Sequence, residues 1–213
     1  MILKAHDGLS KLVTMWKYVP NILTFVRLGL TIIFLAMVLY WPHLVDRPSF
    51  FLDIAFILFV IAGLTDAVDG HIARRWNATS KFGRMIDPLV DKILVCGAFI
   101  CFAIIGVPQL FDWGPATLRV VHWTVVGILI AREAYVTILR QWAEAHGINF
   151  AAVRLGKIKM FVQIFAIGTV LIKVAHVPAW WGHWFTLAVF ALMVAITVAS
   201  GVQATLRIKT AQN

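Results

Sequence analysis

Acidic side chains are scarce in this sequence: ten aspartates and glutamates stand against nineteen lysines and arginines, and charged residues of both signs make up only 14% of it. With 61% hydrophobic residues and a mean hydropathy of +0.87, so little charge excludes an ordinary water-soluble domain. Cysteine is nearly missing too. Cys96 and Cys101, five apart in one apolar run, offer neither a disulfide framework nor a metal-ligand spacing, and read as small buried hydrophobes. There are no Ser- or Pro-rich linkers, low-complexity tracts or internal repeats to divide the chain, so residues 1–213 are read as one domain.

What fills the sequence instead is a series of apolar runs, each long enough to cross about 30 Å of hydrocarbon as a helix of roughly 20 residues. They lie near Ile22–Trp41, Phe50–Trp76, Pro88–Leu110, Leu118–Trp142, Lys157–Val177 and Trp180–Ile208. None has the strict alternation of barrel strands, and a spanning helix satisfies its own backbone hydrogen bonds. The expected fold is therefore all-α: a polytopic membrane protein with six transmembrane helices in residues 19–209. Before them, Leu9, Leu12, Val13 and Trp16 recur at helical spacing, with lysines mostly elsewhere on the wheel. Residues 1–18 thus read as an amphipathic surface helix. No cleavable leader is expected, because the first apolar run carries Arg27 and has spanning length.

The net charge of +9 does not call for nucleic acid. With six spans both termini share a side, which holds Lys4, Lys11, Lys17, Arg207 and Lys209, the cations from Arg74 to Arg84, and those from Arg154 to Lys159. The other side holds only Arg47, Arg119 and Lys173, so the positive-inside rule puts the termini in the cytoplasm and the chain in the cytoplasmic (inner) membrane. Trp41, Trp76, Trp113, Trp142, Trp180, Trp181 and Trp184 fall near span ends, where an indole bridges lipid and headgroups.

Against that scarcity, four of the ten acids gather in one stretch: Asp66, Asp69, Asp87 and Asp91. Separations of three and four put each pair on one helix face, and the short polar segment between should turn the chain back and make the two helices antiparallel neighbours. Four such carboxylates, partly out of water, either take up protons or hold cations. Oxygen-only donors favour Mg²⁺ or Mn²⁺, and four suit two ions better than one. Structural pairing with Arg74, Arg75, Arg84 and Lys92 is the bland alternative. Asp53, at the far end of its span, reads as a solvated charge. Paired divalent ions are suited to displacement at phosphorus, and Gly70, Gly83 and Arg74 fit a phosphorylated ligand close to the backbone.

Read as one string, Asp66 to Asp91 is DAVDGHIARRWNATSKFGRMIDPLVD, which fits D-x2-D-G-x2-A-R-x8-G-x3-D-x3-D throughout. This resembles the signature of the CDP-alcohol phosphotransferase family. The resemblance implies that Asp66, Asp69 and Asp87 are the principal metal ligands and that Asp91, also beside the metals, is the base that takes the acceptor's proton. It implies further that Gly70, Ala73, Arg74, Thr79 and Gly83 accommodate the CDP moiety of CDP-diacylglycerol. Pro20-Asn21-Ile22-Leu23-Thr24 with Arg27 is similar to the family's PNxLTxxR segment, whose Asn and Thr line the nucleotide pocket; the alternative is that Asn21 and Thr24 cap a helix. A homodimer is the assembly the resemblance implies.

The signature does not select the acceptor alcohol. Arg27, Arg132, Arg140, Lys157 and Lys159 are the candidate ligands of an acceptor phosphate, although Lys157 and Lys159 lie about 200° apart on a helical wheel and only one should point fully inward. Snorkelling of these cations to the interface is the competing reading. IAREAYVTILRQW, GKIKM and ARRWN, with Asp87-Pro88 and Asp91-Lys92, are similar to the family's phosphatidylglycerophosphate synthase branch, which implies glycerol 3-phosphate; Met160 stands where that branch commonly has threonine. Inositol phosphate, or phosphatidylglycerol in a cardiolipin synthase, are the alternatives. A divalent-cation transporter is the rival from another class, and its acids should line a route across the membrane rather than cluster at one side.

Overall fold

The computed structural model describes residues 19–44, 48–76, 81–147 and 154–212, and among them the chain is helical. Six long helices follow in order: α1 (Val19–Tyr40), α2 (Pro48–Trp76), α3 (Lys81–Ile105), α4 (Pro115–Ala145), α5 (Arg154–His176) and α6 (Trp180–Gln212). Five are long and apolar enough to cross a membrane. The sixth, α2, has a shorter apolar stretch, Ser49–Thr65, before its aspartates. The chain is thus an all-α, multi-pass membrane protein. The expected surface helix falls outside the described residues.

Helix ends sit where local chemistry stops or starts them. Pro115 opens α4, where a missing N–H costs nothing. Gly106 closes α3 with φ +82°, and its N–H and that of Val107 both bond to the Phe102 carbonyl. Helix α3 begins seven residues before its apolar run and continues through Pro88, so Asp87 and Asp91 lie on one unbroken helix.

The helices pack as a ring in the order α1, α2, α5, α6, α4, α3, with α3 and α5 also touching across the middle. Helices α2 and α3 each pack along α1; the ends at which they are expected to meet lie outside the described side chains.

Phe34 and Phe59 meet at 5.3 Å between ring centroids, and Phe99 contacts Phe102 and Phe190 in the same core. Large apolar side chains are nevertheless exposed all round, including Ile22, Phe25, Phe161 and Leu192, while Arg27, Lys159, Gln163 and Thr197 are buried. Polar inside with apolar outside is the arrangement that lipid, not water, stabilises. Cys101 is buried and Cys96 half-buried, both as free thiols. Asp53 is not simply solvated: its Oδ1 lies 2.7 Å from His176 Nε2, tying α2 to α5.

The α1–α3 contact is close. A Cβ on Gly97 would lie 2.8 Å from Leu35 Cδ1. Because that atom is the tip of a flexible side chain and alanine favours helix, Gly97→Ala should be near neutral. Gly97→Phe should lower stability by about 2 kcal/mol through overpacking. Thermal unfolding of the two variants in detergent checks this, and equal melting temperatures would contradict the close packing.

Candidate active site

The four signature aspartates lie at the joined ends of α2 and α3. Asp66 and Asp69 are on the last turns of α2, Asp87 and Asp91 are one turn apart on α3, and only residues 77–80 separate the helices. The side chains of Asp66, Asp69, Gly70, Ala73, Arg74, Gly83 and Asp87 lie outside the described part, as do those of Asn21 and Lys157 and the whole of Thr79. What is described is the ground immediately inward of them.

Asp91 is the link. Its Oδ1 lies 3.3 Å from Arg27 Nη1, with Arg27 1% and Asp91 27% exposed, so the carboxylate is held by a buried guanidinium from α1. Thr24 is buried one turn before Arg27 on the same helix. Asp91 also borders a cavity of about 150 Å³ among α3, α4 and α5, whose lining combines Lys92, Glu133, Lys159 and Gln163 with apolar surface from Val95 and Met160.

On its far wall, Glu133 Oε1 accepts hydrogen bonds from Arg132 Nη1 at 3.0 Å and from Lys159 Nζ. All three side chains are largely buried. Arg132 runs its stem past Gly201 of α6, where a Cβ would be 3.5 Å from Arg132 Cγ. Lys92 Nζ donates to Thr137 Oγ1 at 2.6 Å, and Gln163 Nε2 reaches Thr197 Oγ1 at 3.5 Å. The cavity shares Lys92, Cys96 and Glu133 with a mostly apolar groove of about 570 Å³ between α3 and α4. A different hollow, about 340 Å³ between α2, α5 and α6, offers one cation, Lys173, and suits apolar contents.

The candidate acceptor ligands therefore separate. Lys159 lines the cavity, and of the lysines at 157 and 159 it is the one described as facing inward. Arg132 stands behind Glu133, and Arg27 backs Asp91 rather than the cavity wall. Arg140 lies two turns beyond Arg132 and is exposed. Sequence reasoning missed Lys92 and Gln163. Gln163 is four residues after Lys159 on the same helix, a spacing that puts both on one face and could have flagged it.

A helical membrane bundle with a cavity lined by Asp91, Lys92 and Lys159 suits a phosphorylated ligand. Comparison with known proteins points the same way. The sequence profile described as CDP-alcohol phosphatidyltransferase matches residues 17–201. The chain is 38% identical over 191 residues to the CDP-diacylglycerol–glycerol-3-phosphate 3-phosphatidyltransferase of Bacillus subtilis, covering 85% of this chain and 90% of that protein. Proteins of the same description from Salmonella choleraesuis and Escherichia coli K12 are each 30% identical over 189 residues, 87% of this chain and 91% of theirs. The signature, the bundle and these matches over most of its length establish that the chain belongs to the CDP-alcohol phosphatidyltransferase family.

Proposed function

We propose that this protein transfers the phosphatidyl group of CDP-diacylglycerol to glycerol 3-phosphate, giving phosphatidylglycerol phosphate and CMP, as a homodimer in the cytoplasmic membrane with its site facing the cytoplasm. The observation that carries this reading is the cavity that Asp91 shares with Lys92 and Lys159. Helix α3 supplies a base, Asp91, and a cation, Lys92, while α5 supplies Lys159, a second cation for an acceptor that itself bears phosphate. The names of the relatives support the same acceptor.

Asp66, Asp69, Asp87 and Asp91 offer only oxygen donors on two consecutive helices, and Asp91 borders the cavity; this donor chemistry supports the reading that they would hold two Mg²⁺ or Mn²⁺ ions. When bound, such ions neutralise charge on the diphosphate. The chain's own groups do the rest. Asn21, Thr24, Gly70, Ala73, Arg74, Thr79 and Gly83 hold the CDP moiety. Lys159 and Lys92 hold the acceptor phosphate, with Arg132 behind. Asp91 removes the acceptor hydroxyl proton, the oxygen attacks the phosphorus that carries the diacylglycerol, and the bond to CMP breaks with its electron pair leaving on CMP.

The test is CMP release by purified protein given CDP-diacylglycerol, Mg²⁺ and one acceptor at a time: glycerol 3-phosphate, inositol phosphate, serine or phosphatidylglycerol. Only glycerol 3-phosphate should support turnover, and EDTA should abolish it until Mg²⁺ or Mn²⁺ is restored. Turnover with a different acceptor alone would overturn the assignment.

A further inference from the structure

Glu133 has no place in the chemistry above, yet it binds Lys159 on the cavity wall. One of its oxygens serves both Arg132 and Lys159, and all three side chains are at most 15% exposed. A lysine has a long flexible stem, and ordering it costs rotamer freedom. An ammonium on the wall of a cavity is therefore well placed only if something fixes it. Glu133 is that group for Lys159, and it is itself gripped from behind by an arginine whose stem packs on α6.

Resting on the acceptor proposed above, we infer that Glu133 is a positioning residue for acceptor recognition. It anchors Lys159 at the cavity wall. Its effect passes through Lys159, so it should appear in the KM for glycerol 3-phosphate rather than in kcat or in the KM for CDP-diacylglycerol.

A double-mutant cycle reads this directly. Wild type, Glu133→Gln, Lys159→Gln and the double variant are purified in detergent, their melting temperatures are recorded, and CMP release is followed against each substrate. Glu133→Gln should raise the KM for glycerol 3-phosphate about tenfold, with kcat and the lipid KM within about twofold. In the Lys159→Gln background the same change should add nothing. Glu133→Asp, which keeps the charge on a shorter stem, should recover part of the loss. Equal, additive losses in both backgrounds, or a fall in kcat without a change in KM, would overturn the inference and mark Glu133 as merely structural. If Glu133→Gln does not fold, Glu133→Asp decides: a wild-type KM in that variant sinks the inference. Wild-type protein inactive with glycerol 3-phosphate would sink this reading and the proposed function together, whereas an active wild type with an unresponsive cycle sinks this one alone.

Discussion

Asp91→Asn is expected to cut CMP release by about a thousandfold while the protein stays folded. The amide is nearly isosteric with the carboxylate and keeps an oxygen that can accept from Arg27, now 3.3 Å away, so the contact between α1 and α3 survives. The substitution removes the capacity to accept the acceptor's proton, and general-base catalysis contributes on the order of 10²–10⁴ in rate. Loss of a charge at the proposed ion site adds to the effect. CMP release at saturating substrates, with a melting curve run in parallel, measures both quantities. Substantial turnover by this variant would remove Asp91 from the role of base.

The second large effect is expected at Arg27. Arg27→Met keeps the length and the apolar stem but deletes the guanidinium, leaving Asp91 without this partner in a setting where it is only 27% exposed. Removing one member of a buried ion pair costs about 3–5 kcal/mol; because water reaches Asp91, the lower end applies. A loss of about 3 kcal/mol corresponds to a fall in melting temperature on the order of 10 °C. Arg27→Lys should fall between, since it restores charge but not the planar fork. If Arg27→Met melts and turns over like the wild type, the pair contributes neither stability nor orientation.

Much of this protein could be read before its structure, for identifiable reasons. Spanning helices announce themselves through uninterrupted apolar runs, and the aspartates through separations of three and four in a chain otherwise poor in acids. Helix partners are another matter. Arg27 and Asp91 sit on different helices far apart in sequence, and no local periodicity says that α1 packs along both α2 and α3. Asp53 looked solvated because its partner, His176, comes from α5. Glu133 stands next to Arg132 in the sequence, but its grip on Lys159 required α4 and α5 to be brought together. Lys92 was visible beside Asp91, and the structure turns it toward Thr137 and the cavity.

The Arg27–Asp91 contact also bears on how the bundle comes together. Helix α1 is synthesised before α3, and an arginine in a helix that enters hydrocarbon without its partner costs up to about 3 kcal/mol, which the surrounding apolar residues must outweigh. Its acidic counterpart arrives only with α3. Sliding either helix by a single turn, 5.4 Å, would separate the two charges beyond close contact. The pair thus fixes the depth of α1 against α3, and bundles inserted out of step are disfavoured by the same pair whose carboxylate borders the cavity.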